Sequence, residues 1–166
     1  MTVTETERLI LVKTQLNDAP FILKLLNDES FIRNIRDSQV RTLDQARAHI
    51  SEKFLHSYDT HGFGMYLVKL KSTGEPIGVC GIVKRDTLDC PDVGYALLPE
   101  FSGKGYATEG AKAAMDHGYN TLGIKRIVGI TSAENKASIK VLEKLGLTFE
   151  KTVPYEGGGE SLLFVP

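Results

Sequence analysis

The apolar run Val93-Gly-Tyr-Ala-Leu-Leu98 is strand-like and ends in Pro99-Glu-Phe-Ser-Gly-Lys-Gly-Tyr-Ala-Thr-Glu-Gly110, a glycine-bearing turn leading into a helix-like segment that stops near Leu122. This strand–turn–helix order constrains the chain more than any other stretch. Successive backbone N–H groups point outward at such a junction, and the helix dipole favours negative charge there. Gly103 and Gly105 present no Cβ, so a ligand can approach the main chain closely. The junction therefore suits a phosphate-bearing cofactor, and a plain surface turn is the competing reading. It is not a Walker P-loop, because Lys104 is followed by Gly105 and not by Ser or Thr. Nor is it the dinucleotide fingerprint, since Thr108 stands where the third glycine belongs.

The rest of the chain reads as antiparallel strands followed by a strand–helix–strand crossover. Strands are expected at residues 9–12, 65–70, 76–83, 93–98, 126–131, 147–149 and 162–165. Helices are expected from an Asp18 cap to about Leu26, from a Thr42–Gln45 capping box to about Tyr58, over 104–122, and over 135–145 with Gly146 as C-cap. The implied fold class is α/β (α+β): a mixed, mostly antiparallel central sheet with helices on both faces. With 166 residues and no linker or repeat, residues 1–166 read as a single domain. The formal net charge of −1 implies no broad basic patch, so nucleic acid is not an expected partner. No run approaches a membrane span and no signal peptide is apparent, which points to the cytoplasm. Cys80 and Cys90 are expected as reduced structural thiols, and His49, His56, His61 and His117 show no metal-ligand pairing.

The stretch 92–110 resembles the acetyl-CoA-binding signature of the GNAT superfamily of N-acetyltransferases. More narrowly, it is similar to the branch that acetylates ribosomal protein N-termini, the RimJ/RimL type. A second block matches at the expected distance: Ala133-Glu-Asn-Lys-Ala-Ser-Ile-Lys-Val-Leu-Glu-Lys-Leu-Gly-Leu147. Gly74-Glu-Pro-Ile-Gly78 is a weaker third match, and the likeness covers roughly residues 63–150.

That resemblance implies a V-shaped opening between residues 93–98 and 126–131 in which a pantetheine arm lies. It implies a diphosphate cradle from the N–H groups of Gly103, Lys104, Gly105, Tyr106 and Ala107, with Thr108 beside them, and pairing of the arm with the main chain of Tyr95, Ala96 and Leu97. Ser102 departs from the Gln, Arg or Trp common in the family. Lys104 either adds charge to a phosphate or is solvated. Asn135 is implied as a cofactor contact, although capping alone accounts for it; Ser138 is implied as proton donor to the thiolate, with back-bonding to a carbonyl as the alternative. Asp92 stands where this branch commonly has Glu and is the expected base, acting through water; the alternative is a solvated acid in a turn. Glu109 reads as favourable dipole placement.

Acetyl transfer to an amine requires a neutral amine and stabilisation of developing negative charge, while holding the reactants together is worth about 7–11 kcal/mol. The implied acceptor is a protein N-terminal amine. A small-molecule amine (polyamine, amino sugar or amino acid) is the alternative, and a non-catalytic acyl-CoA sensor is a third reading. Arg33 and Arg36 are expected either on the acceptor side or as surface charge beside Phe31, Ile32 and Ile35, and Glu156 and Glu160 flank glycines able to form a substrate lid. Monomer and homodimer are both open.

Overall fold

The computed structural model describes residues 1–155 and 158–166. Five strands, β1 (Thr2–Glu5), β2 (Leu9–Lys13), β3 (Met65–Leu70), β4 (Pro76–Val83) and β5 (Asp92–Leu97), form an antiparallel sheet in sequence order. A second antiparallel sheet has the order β6-β8-β7, from β6 (Gly129–Thr131), β7 (Thr148–Pro154) and β8 (Glu160–Val165). One parallel bridge, Asp92 to Val128, joins the two sheets.

Six consecutive positions of β4, Ile77 to Ile82, are buried, which requires cover on both faces. Helix α5 (Tyr106–Asn120) lies across β1, β2, β4 and β5. The other cover comes from α1 (Ala19–Leu26), α3 (Leu43–His49) and α4 (His56–His61), whose Ile22, Leu25, Ala46 and Tyr58 join the main core. The Thr42 box forms as expected: Thr42 Oγ1 accepts from Gln45 N at 3.1 Å, and Gln45 Oε1 accepts from Thr42 N at 3.2 Å. That helix continues past Tyr58, because a π-helical stretch, Ile50–Leu55, connects α3 to α4 without a break.

Several boundaries differ from the sequence expectation. Helix α5 begins at Tyr106 because Gly105 is left-handed (φ 84°). Residues 126 and 127 precede β6; the Ile127 N–H donates to the Tyr119 hydroxyl at 3.1 Å, which diverts it from strand pairing. Asp18 does not cap α1 with its side chain, because its carboxylate accepts from Gln15 N at 2.8 Å. Strand β7 is longer than expected, paired along β8 through an irregularity between Phe149 and Lys151. Strand β1 and helix α2 (Glu29–Asn34) were not expected; Asp28 caps α2 by accepting from Ser30 N and Phe31 N. At the end of α6 (Lys136–Lys144), Gly146 at φ 90° closes the helix as expected, with Leu147 N donating to Leu142 O at 3.1 Å.

Candidate active site

The two sheets part immediately beyond their single bridge. Val93 N donates to Val128 O at 2.9 Å and Val128 N to Pro91 O at 3.0 Å; from there β5 pairs only with β4, and β6 only with β8. The expected V is therefore present, with its apex at Asp92 and Val93. Strand alternation decides which main-chain groups line it. The Val93 N–H points to the β6 side, so Tyr95 and Leu97 turn their N–H and C=O into the V. Leu98 N donates to Ile77 O at 2.9 Å, which fixes the even-numbered positions toward β4. Ala96 is one of these: its carbonyl lies 2.2 Å from where a Cβ on Gly78 would stand. The expectation that Ala96 offers main-chain groups to a ligand is thus corrected by the register, although its side chain lines the groove.

At the wide end of the V, a turn of 3₁₀ helix, Pro99–Phe101, hands the chain to the two glycines. Gly103 (φ 75°) and Gly105 (φ 84°) are both left-handed, a conformation that costs other residues about 1–2 kcal/mol. Gly105 occupies the N-cap of α5 and has no side chain with which to satisfy the first N–H groups of the helix. A Cβ on Gly103 would meet nothing within 4 Å, so the space above it is open. Tyr106, Ala107 and Thr108 are half-buried and line the same groove as Gly103 and Gly105, while the exposed Lys104 does not.

The turn is braced from behind by Arg8. Its Nη1 donates to Lys104 O at 2.9 Å, its Nε pairs with Glu109 Oε1 at 2.7 Å, and its guanidinium lies 4.4 Å from the Tyr106 ring centre. Burial pushes the Glu109 carboxyl up, but hydrogen bonds from Thr6 and Arg8 outweigh it and leave the group below its ordinary value.

Across the V, Asn135 caps α6 by accepting from Ser138 N at 3.2 Å. Burial pushes the Tyr95 phenol on the β5 arm above its ordinary value, with Ser138 on the α6 arm acting the other way. Its hydroxyl therefore stays protonated across the neutral range.

Asp92 is not a solvated acid. It is 1 % exposed and pairs with Arg85 Nε at 3.0 Å. Arg85 also lies 6.0 Å from the Tyr155 ring centre, and the Tyr155 hydroxyl accepts from Arg36 Nη2 at 2.9 Å. This chain of contacts ties the apex of the V to the segments after α2 and β7. Arg33, by contrast, sits outside on a surface pair with Glu29 at 3.7 Å. Glu160 lines the groove; Glu156 falls outside the described residues. His49, half-buried beside Phe54, also lines it, and burial together with Lys53 lowers its pKa below the ordinary histidine value. The whole groove measures about 1440 Å³, running from α1 past the glycine turn to α6. Among the described residues, no group of three or more His, Cys, Asp or Glu could hold a metal ion.

Sequence reasoning did not single out Arg8, His49 or Tyr155 for the site, nor the Tyr95 side chain. Arg8 and Tyr155 act across about a hundred residues of chain, which no local pattern reveals.

The acetyltransferase (GNAT) domain family matches residues 8–148. The uncharacterized N-acetyltransferase p20 of Bacillus licheniformis is 30% identical over 148 residues, 88% of this chain and 81% of that protein. The uncharacterized protein YkkB of Bacillus subtilis is 35% identical over 95 residues, 56% of this chain; the match spans about half, 55%, of that relative's length. Among solved structures, RimL, the ribosomal L7/L12 alpha-N-protein acetyltransferase in complex with coenzyme A, superposes with a TM-score of 0.85 at 19% identity, over 100% of this chain and 97% of that one.

Proposed function

The chain belongs to the GNAT acetyltransferase family, and from that premise we propose that it moves the acetyl group of acetyl-CoA to a protein N-terminal α-amine by direct attack in a ternary complex. The observation that carries this reading is a V, opening from the Asp92–Val128 bridge, whose β5 edge has unspent main-chain groups at Tyr95 and Leu97. The side-chain-free turn at Gly103 and Gly105 and the open space above Gly103 fit coenzyme A. In this reading the N–H groups of Gly103, Lys104, Gly105, Tyr106 and Ala107 hold the diphosphate, with Thr108 beside them, and Tyr95 and Leu97 hold the arm through their main chains. Asn135 fixes the start of α6 and so the position of Ser138. Ser138 passes its hydroxyl proton to the departing thiolate and regains one from water, to which the base has released the amine proton. Acetyl-CoA itself contributes the activated thioester.

Asp92 is the base of this scheme, working through water from the apex; its pairing with Arg85 also makes it a structural tie. Arg36, His49, Lys53 and Arg85 line the acceptor end, where the described carboxylates are Asp92 and Glu160. This favours an acceptor with a single amine over a polycation. RimL, whose fold this chain shares, acts on a ribosomal protein, which supports the RimJ/RimL-like assignment. We further assign residues 1–166 to one cytoplasmic domain, monomeric or homodimeric, without a nucleic-acid partner. A net charge of −1 supports that, as does the lack, among described residues, of any helix long and apolar enough to cross a membrane.

The test is thiol release from acetyl-CoA with a panel of acceptors: peptides beginning with Ala or Ser, the same peptides N-acetylated, spermidine, an amino sugar and free amino acids. Turnover on the free peptides alone is expected. Turnover confined to a small amine reassigns the acceptor, and coenzyme A binding without turnover on any acceptor supports a sensor.

A further inference from the structure

The guanidinium of Arg8 reaches the glycine turn without lining the groove. It comes from the short link between β1 and β2, at the far edge of the five-stranded sheet from β5. Two of its nitrogens donate to acceptors of this protein, and the third lies against the turn. Nε goes to Glu109 Oε1 at 2.7 Å, Nη1 to Lys104 O at 2.9 Å, and Nη2 stands 3.2 Å from where a Cβ on Gly105 would lie. Its Cζ lies over the Tyr106 ring, 4.4 Å from the centre. Glu109 is in turn held by Thr6 Oγ1 at 2.5 Å and by the Arg8 main-chain N–H at 3.0 Å.

The geometry points to Arg8 and Glu109 as a paired positioning device for the diphosphate cradle, an inference that rests on the acetyltransferase reading above. The Lys104 carbonyl is the critical atom. Between two left-handed glycines the Lys104–Gly105 peptide has little to fix its orientation. Tying its oxygen to Arg8 turns the opposite N–H edge toward the groove, where an anion needs donors. The turn is thus set before ligand arrives, and binding does not have to freeze it. A direct role for Arg8 as a phosphate ligand fits less well, because its Nε and Nη1 are already engaged on Glu109 and Lys104 and it does not line the groove.

Glu109 separates the two roles by sign. It puts a negative charge in the first turn of α5, close to where a dianionic diphosphate would bind. By charge alone, Glu109→Ala tightens coenzyme A binding, and it also releases Arg8 to reach a phosphate. If the pair positions the turn, the same change weakens binding.

The experiment is calorimetry of coenzyme A with the whole chain, for wild type, Arg8→Ala, Arg8→Lys, Glu109→Ala and the Arg8→Ala/Glu109→Ala double variant, plus steady-state kinetics. Lys112→Ala, which breaks an unrelated surface pair with Asp116 on α5, is the control. Expected are a roughly tenfold or greater rise in Kd for both single alanine variants, a double variant no worse than either, and partial recovery in Arg8→Lys. KM for acetyl-CoA should rise in step while kcat at saturation stays within about threefold. Tighter binding by Glu109→Ala, or additive losses in the double variant, overturns the positioning role. Unchanged Kd in Arg8→Ala, judged on variants with wild-type far-UV circular dichroism, also overturns it. Wild type that takes up no coenzyme A sinks the acetyltransferase reading itself, a distinguishable result.

Discussion

Replacing Tyr95 with Phe removes one oxygen atom from the β5 arm of the V, on a side chain that Ser138 of the other arm influences. The ring keeps its volume and stays in β5, so the packing loss is small. Its polar interaction with Ser138 is lost, worth at most about 1.5 kcal/mol net to stability. For a chain of this size each kcal/mol moves Tm by roughly 2–4 °C, so a fall of at most about 6 °C is expected. The catalytic cost is larger if the phenol orients or assists the proton donor. Loss of one preorganised donor at developing negative charge is worth about 2.7–4 kcal/mol, a fall in kcat of about 10²- to 10³-fold. KM for acetyl-CoA should change little, since the main chain of Tyr95 is untouched. The assay is thiol release at saturating acetyl-CoA and acceptor, with a thermal melt on the same sample. Ser138→Ala should cost a similar factor and the double variant little more, because the two hydroxyls act as a unit. The wild-type phenol, raised by burial, is more than half protonated even at its ordinary value of 10, so its ionisation removes less than half the rate between pH 7 and 10. A Tyr95→Phe enzyme within about threefold of wild-type kcat would refute this reasoning.

Three further outcomes follow from the same geometry. Asp92→Asn breaks a buried ion pair from one side and should destabilise by about 3–5 kcal/mol in urea unfolding; a loss under about 1 kcal/mol would show that Arg85 finds full compensation elsewhere. Burial pushes the Cys80 thiol from 9.0 up to about 12. The folded state therefore holds that proton more tightly, and stability is flat below about pH 9 and falls as pH rises toward 12. Cys80→Ala should remove roughly 1 kcal/mol of the loss between pH 9 and 10, before the Tyr66 phenol, also raised to about 12, contributes; an unchanged slope contradicts this. For His49 the sign is opposite: burial lowers its pKa, so its contribution is present above 6.5 and is lost as pH falls through the folded value. Its imidazole resonances should titrate with a midpoint below 6.5, and a midpoint at or above that value would show the ring to be solvated.

Much of the fold was legible because its signals are local. The Thr42–Gln45 box, the Gly146 C-cap and the glycine turn after residue 98 each fix a boundary through a few neighbouring atoms, and all three form. Strand β7 was half missed because Glu150, Lys151 and Thr152 are exposed and carry no alternation. Strand β1 escaped because an edge strand of four residues has a partner on one side only. The residues proposed for the cradle came from glycine chemistry and from family likeness. What sequence could not supply was register: that Tyr95 and Leu97, but not Ala96, face the V depends on one bridge between Asp92 and Val128. Nor could it supply the Arg8 brace or the Arg36–Tyr155 contact, since both join residues distant in the chain.

The most direct measurement is the backbone amide spectrum of isotopically labelled protein titrated with coenzyme A. Large shifts are expected at Gly103, Gly105, Tyr106 and Ala107, and at Tyr95 and Leu97, with Ala96 moving less than its two neighbours. Saturable shifts that leave the glycine turn unmoved and cluster elsewhere would contradict the claim that this main chain holds the diphosphate.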